Sequence, residues 1–426
     1  MELCIRATTV EKITGLTGLT GLTRNWQEVQ GLFWQSFYYV ANIMGGQGFR
    51  TRLNALLDRN PGLDVLDKAS SPPLIAQIWA LHRKFKHVHL PRAFEKVECQ
   101  SFWSGSRADM YFLWGAHHTL HACGMLRAAS KNHKPLFLIE DGFFKSADTP
   151  KNRRVDIKYL EGISFVVDDK AMYFDATRKS RLEAMLNDNT LIINEQQKQR
   201  AKQCMEMITS TYLTKYNHQP IFTPQIGRQK VPKVLVVDQS YGDMSISLGL
   251  ANDATFQNML DSAIAENPDA DIIIKTHPDS LATPKKRPAY YTGVEQQQNL
   301  YKITYPINPI ALLKSVDKVY VCTSQLGFES LMCGKETHVF GMPFYAGWGL
   351  TNDRLVCPRR TNPRTLEEVF YIAYIMYSRY ANPVTKSRCE IEEAMNYLLT
   401  LRAEYFEKFS VRCELDERLE KPVSSF

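Results

Sequence analysis

No run of about 18 consecutive apolar residues occurs anywhere in this 426-residue sequence, so it offers no candidate membrane-spanning helix. Its first residues, MELCIRATTVEK, lack an apolar core of the signal-peptide kind, and a cytoplasmic protein is expected. C-x-x-C pairs are missing too. The nine cysteines, an odd number, are scattered from Cys4 to Cys413, which argues against a disulfide framework and a thiolate zinc site. His117, His118 and His121 fall in one helical stretch, and Cys123, two residues beyond His121, faces away from it, so no metal is expected. Charge of one sign is not strongly in excess: +7 and a pI near 8.8 are modest at this length. That balance suits an acidic substrate or an anionic membrane surface, and no nucleic-acid partner is expected.

With 44% hydrophobic residues a large disordered fraction is excluded, and the length calls for about two domains. Gly15 to Thr23 repeats GLT three times, which predicts a flexible arm over residues 1–25. Asp109–Trp114 reads as a strand, followed by a helix to about Ala129 and a strand, Pro135–Ile139, ending in Glu140-Asp141-Gly142. Ile163–Val167 and Met172–Asp175 read as strands around an Asp168-Asp169 turn, and Ser180 with Glu183 forms a capping box. Between Gln196 and Lys233 a polar helix gives way to irregular Pro- and Gln-containing chain, which sets a boundary near residue 230.

Beyond it, the strand Val234–Val237 ends in Asp238-Gln239-Ser240-Tyr241-Gly242-Asp243. A helix (Thr255–Glu266), the strand Asp271–Lys275 and Thr276-His277-Pro278 follow. Asp269-Ala270-Asp271 has the D-x-D pattern of a metal-dependent glycosyltransferase class, but it precedes its strand and reads as a turn. A strand at Ile303–Tyr305, a helix at Asn308–Lys314, and the strand Lys318–Cys322 come next. Thr323 and Ser324 then turn into a helix that Ser324 caps and Gly334 stops. Thr365 with Glu368 opens a helix to about Arg379, and Glu390–Phe406 is a last amphipathic helix. The expected organisation is an arm (1–25), two Rossmann-like domains (26–230 and 231–355) and C-terminal helices (356–426).

Four loops, after Ile139, Val237, Lys275 and Cys322, leave the carboxyl ends of parallel-type strands, where open α/β sheets place their sites. A cleft between such loops suits a nucleotide-activated sugar. His277, stiffened by Pro278, is placed to donate to a phosphate, Lys275 to supply charge, and the helix start at Thr323, Ser324 and Gln325 to supply N–H groups. Glu329 is placed to accept from a ribose diol, and carboxylates from both domains to supply acid/base and nucleophilic chemistry. The loop with Tyr345, Gly347 and Trp348 fits two readings, a sugar- or base-contacting surface and a packed hinge.

At these residues the sequence resembles the capsule polysaccharide biosynthesis and export family, most closely its KpsC-type β-Kdo transferase modules. The match runs from about Asp109 to Leu401 through EDGFFKS (Glu140–Ser146), YFDATRKSRLE (Tyr173–Glu183), DQSYGDMSI (Asp238–Ile246), KTHPD, the Ser324–Glu329 segment, FGMPFYAGWGLT and SRYANPVTKSRCEIEE. Each motif occurs once, as in a single module. The resemblance implies a GT-B fold of two Rossmann-like domains facing a cleft, with CMP-Kdo as donor substrate and no separate cofactor. It also implies retention of configuration, with Asp243 as nucleophile, Asp238 as second choice, Glu140 as general acid/base and Asp141 orienting the loop or an acceptor hydroxyl. By analogy with retaining glycosidases, the two reacting carboxyl groups stand roughly 5 Å apart. Expected partners are a Kdo-containing glycolipid or oligosaccharide acceptor, the inner-membrane surface and capsule assembly machinery. Two alternatives compete: an inverting, sialyltransferase-like enzyme in which Glu140 is only a base, and a non-catalytic export component.

Overall fold

The computed structural model describes residues 48–67, 73–79, 97–101, 107–115, 120–149, 152, 154–277, 289–385 and 387–413. The expected arm and Pro278 lie outside them. The chain divides into Met1–Thr51 and Arg52–Phe426. The second unit contains two sheets.

The first sheet is built from β1 (Leu74–Trp79), β2 (Val97–Ser101), β3 (Met110–Trp114), β4 (Leu136–Asp141) and β5 (Ser164–Asp168). The second is built from β6 (Lys233–Val237), β7 (Asp271–Lys275), β8 (Leu300–Ile303), β9 (Lys318–Val321), β10 (Glu336–Val339) and β11 (Asn352–Asp353). β12 (Ser378–Asn382) and β13 (Ser387–Cys389) then return to the first sheet, whose order is β13-β12-β5-β4-β3-β1-β2. β1 to β4 are mutually parallel, whereas β5, β12 and β13 are added antiparallel.

The second sheet is wholly parallel, in the order β11-β10-β9-β6-β7-β8. Counted from its own first strand this is the Rossmann order, which reverses direction between β6 and β9. Its central strands are buried on both faces, as VLVV and DIIIK require. The crevice at such a reversal is where ligands bind in open α/β sheets, so the loops after Val237 and Val321 flank the position that topology selects.

Three readings need correction. Met172–Asp175 is not a strand, because the Asp168 carboxylate accepts from the Lys170 and Ala171 N–H groups and Asp175 N–H returns to Met172 O, turning the chain instead of extending it. The C-terminal region is not helical throughout: the helix Leu366–Phe370 widens into a π-helix over Tyr371–Tyr377, and Ser378–Asn382 then pairs with β5. Ser180 does accept from Glu183 N–H at 3.0 Å, but the Glu183 carboxylate is held by Arg359 and Arg360 and does not close a capping box. The Thr365–Glu368 box forms in full. Asp271 of the D-x-D pattern pairs with Arg228, Nε to Oδ1 at 2.8 Å, and is buried in that role.

Residues from both sheets share one core. Phe143, in the loop after β4, stacks on Tyr374 of the π-helix with centroids 4.3 Å apart and packs on Phe344 from the second half at 5.0 Å. Phe328 completes the stack at 5.5 Å from Tyr374. The loops that carry the polar residues therefore sit on a rigid aromatic base.

Candidate active site

β4 presents Glu140 and Asp141 at its carboxyl end, as its sequence led one to expect. Glu140 Oε1 accepts from Trp114 Nε1 of the neighbouring β3 at 3.1 Å and from the Asp141 N–H at 3.0 Å. These bonds fix the carboxylate while leaving Glu140 partly exposed. Asp141 is buried and pairs with the Lys145 ammonium. Burial works against that ammonium, but Asp141 holds it above the ordinary lysine value. Gly142 is required between them, since a Cβ there would overlap the Ser164 side chain.

The loop after β6 separates its two aspartates. Asp238 is 2% exposed, and its Oδ1 accepts from the Gln239 and Tyr290 N–H groups at 2.9 Å each. Burial pushes its carboxyl up to about 6 despite those donors. Asp243 is exposed and caps the helix Met244–Leu248, with Oδ1 accepting from Ser245 N–H at 2.9 Å and Ser245 Oγ at 2.7 Å. Of the two, Asp243 has the accessible carboxylate.

Tyr173 shows what the fold brings together. Burial raises its phenol; Lys215 opposes the rise, and the carboxylates of Glu140, Asp141 and Asp243 add to it. Carboxylates from the end of β4 and from the loop after β6 thus act on one hydroxyl, although 102 residues separate Glu140 from Asp243 in the chain. Neither Tyr173 nor Lys215 was singled out from the sequence as a site residue. Tyr173 lies in a motif that was, whereas TYLTKYN around Lys215 carries no signal of its own.

The ends of β6, β7 and β9 hold the remaining candidates. Thr323 N–H donates to Gln239 Oε1, and Gln239 Nε2 donates to Thr323 Oγ1, each at 3.0 Å, which ties the loops after β6 and β9 together. Ser324 Oγ accepts from Leu326 N–H at 3.2 Å, but the N-cap of the short helix Leu326–Met332 is Gln325 and not Ser324 as expected. Gln325 reaches the first half, Nε2 donating to Phe143 O at 3.0 Å. His277 Nδ1 shares a 2.9 Å hydrogen bond with Ser240 Oγ. Lys275 is buried, donates to Thr276 O at 3.0 Å, and is pulled down to about 8 by burial against the opposing pull of Asp238.

Glu329 is placed differently from the ribose-binding expectation. It is 5% exposed, Thr214 Oγ1 donates to its Oε1 at 2.7 Å, and burial raises it to about 7. The aromatic-glycine loop is likewise internal. Tyr345 and Trp348 are 0% and 1% exposed, with Tyr345 Oη donating to Ser324 O at 2.6 Å and Trp348 Nε1 to Phe344 O at 2.8 Å. Gly347, at φ +82°, donates its N–H to Asp353 Oδ2 at 2.8 Å. Of the two readings of this loop, packing is the one its geometry fits.

Among the described residues no group of three or more His, Cys, Asp or Glu is arranged to hold a metal ion, and no helix is long and apolar enough to cross a membrane.

The family model for capsule polysaccharide biosynthesis protein matches residues 110–388. The chain belongs to this family. It is 39% identical over 339 residues to the capsule polysaccharide modification protein LipA of Neisseria meningitidis serogroup A, covering 75% of this chain and 46% of that protein. It is 37% identical over 268 residues to the lipopolysaccharide-processing protein LpsZ of Rhizobium meliloti, covering 63% of this chain and 59% of that one. The chain thus spans about half the length of these curated relatives. Among solved structures it resembles the β-Kdo 2,4 transferase part of Thermosulfurimonas dismutans KpsC, with a TM-score of 0.68, 32% identity, and 78% and 99% of the two chains covered. It shares its fold with the β-Kdo 2,7 transferase part of the same protein, at TM-score 0.53 and 24% identity over 77% and 99%. The two-sheet architecture is GT-B-like, as expected.

Proposed function

We propose that this family member is a glycosyltransferase that moves Kdo from CMP-Kdo to a lipid-linked or saccharide acceptor in surface-polysaccharide assembly, with retention through double displacement. The joint influence of Glu140 and Asp243 on the Tyr173 phenol carries the reading, since a double displacement uses one carboxylate as nucleophile at the reacting carbon and a second to exchange the proton of the attacking oxygen. Asp243, exposed and held at one oxygen by a helix N-terminus, acts as nucleophile on the anomeric carbon and expels CMP. Glu140, fixed by Trp114, then removes the proton from the acceptor hydroxyl as that oxygen displaces the enzyme carboxylate. Asp238 supports the loop from within. The crevice between the loops after β6 and β9 takes the nucleotide, with Ser324, Gln325 and His277 beside it. The similar structure titled β-Kdo 2,4 transferase supports Kdo as the sugar transferred.

The test combines purified protein with CMP-Kdo and a Kdo-terminated glycolipid, followed by NMR of the product linkage and mass spectrometry of the enzyme. A sugar adduct on Asp243 and a β-linked product are expected. Transfer by Asp243→Ala at the wild-type rate would overturn the mechanism.

A further inference from the structure

The half of the site built around β4 holds two cations, and they are not equivalent. Lys145 has its charge answered within the protein by Asp141, and its ammonium also lies 5.5 Å from the Tyr216 ring centre. Lys215 has no such answer. Among the described residues its ammonium has neither a hydrogen-bond acceptor nor a carboxylate at ion-pairing distance, yet Tyr173, Tyr216, Asp141 and Glu140 all act on it. The residue as a whole is partly rather than fully covered.

Its backbone is held firmly. The Lys215 carbonyl accepts from the Lys145 and Ser146 N–H groups at 3.1 and 3.4 Å. Thr214, just before it, bonds Glu329 through its hydroxyl, and Asn217, just after, accepts from Thr214 N–H at 3.0 Å and donates to Ser146 O at 3.2 Å. A lysine on a pinned segment between the two halves, with its ammonium unanswered beside the reacting carboxylates, is a preorganised anion receptor. Burial disfavours its charge, but Tyr173, Tyr216, Asp141 and Glu140 together outweigh that and keep it protonated.

We infer that Lys215 binds the carboxylate of the sugar acid being transferred, and so selects an anionic sugar at the reacting carbon. The inference rests on the proposed function and deepens it. Kdo carries its carboxylate on the anomeric carbon, so a cation beside Glu140 meets it when that carbon lies between Glu140 and Asp243. The contact also shields this carboxylate from Glu140, Asp141 and Asp243, which would otherwise repel it. A phosphate is the other anion of such a donor, but the topological reversal that takes the nucleotide lies at the loops after β6 and β9.

The experiment compares wild type, Lys215→Met and Lys215→Arg in two measurements, CMP binding by calorimetry and transfer kinetics with CMP-Kdo. CMP affinity is expected to stay within about twofold in both variants, which also reports on folding. Transfer efficiency is expected to fall about 10- to 100-fold in Lys215→Met, the usual worth of a hydrogen bond to a charged group, and to recover in part in Lys215→Arg. Free Kdo should inhibit wild type better than its C1 carboxamide, and this preference should vanish in Lys215→Met. If Lys215→Met loses CMP affinity while Lys215→Arg keeps it, Lys215 is a phosphate contact and the inference is overturned. A wild type that transfers Kdo alongside an unimpaired Lys215→Met overturns the inference alone. A wild type that does not transfer Kdo sinks the donor assignment and the inference with it.

Discussion

Gln325 Nε2 donates to the main-chain carbonyl of Phe143 at 3.0 Å, joining the first turn after β9 to the loop after β4. The two residues are 182 apart in the chain, and Phe143 is itself stacked on Tyr374. One amide therefore fixes the nucleotide side of the proposed site against the carboxylate side. Gln325→Ala leaves a buried carbonyl without its donor and should lower stability by about 1–3 kcal/mol in chemical denaturation. Gln325→Glu removes the donor at nearly constant shape and should lose at least as much above pH 5. If both variants unfold at the wild-type midpoint, the bond does not join the halves.

Glu329 makes stability depend on pH. Burial raises its carboxyl from an ordinary 4.5 to about 7, so the folded chain favours the protonated form. This contribution is complete below about pH 4.5 and is lost as the pH rises through about 7. Glu329→Gln keeps a carbonyl for the Thr214 hydroxyl and cannot ionise. Melting curves from pH 5 to 8 should show wild type losing roughly 2–3 kcal/mol relative to Glu329→Gln across that window. Parallel curves would mean that Glu329 keeps an ordinary carboxyl.

The sequence was most legible where residues had one environment. β6 and β7 carry apolar runs, Val234–Val237 and Ile272–Ile274, because both faces are covered, and polar residues follow each run. Ser378–Asn382 was illegible for a related reason. All five residues of SRYAN are buried although three are polar, so no alternation marks a strand, and it is the pairing with β5 and β13 that makes one. In the site, the carboxylates at the ends of β4 and β6 were legible as pairs, and the roles of Glu140 and Asp243 came only from the family resemblance. Lys215 stayed hidden because its meaning is spatial: it is defined by the unanswered charge left when Asp141 pairs with Lys145. Tyr345 and Trp348 misled in the opposite sense, since aromatics among glycines suggest a sugar platform whereas here the glycines allow backbone turns that bury the rings.

Gly327 tests that burial. A Cβ at this position would overlap Tyr345 Oη and crowd Val321, while Tyr345 is anchored through its bond to Ser324 O. Gly327→Ala should therefore destabilise despite alanine's better helix propensity, by about 1–3 kcal/mol as an overpacked core. Combining it with Tyr345→Phe, which removes the clashing oxygen, should recover part of the loss. Trp348→Ala, which opens a buried space, should cost about 3–5 kcal/mol. Equal stability of Gly327→Ala and wild type in urea would show that the loop is not packed against this helix.

The two aspartates of the loop after β6 should separate in one pair of variants. Asp243→Asn retains an oxygen able to cap Ser245 N–H, so its stability should fall by less than about 1 kcal/mol, while its loss as nucleophile should cut transfer by at least about 1000-fold. Asp238→Asn keeps an acceptor for the Gln239 and Tyr290 N–H groups but carries no ionisable group. Because the wild-type carboxyl is raised to about 6, its favourable contribution is present below about pH 3.8 and is lost as the pH passes 6. Asp238→Asn should therefore be at least as stable as wild type at pH 8 and retain most of its transfer activity. Rates and melting temperatures measured on both variants at pH 8 decide the matter. An active Asp243→Asn beside an inactive, stably folded Asp238→Asn would move the nucleophile to the buried position and reverse the assignment.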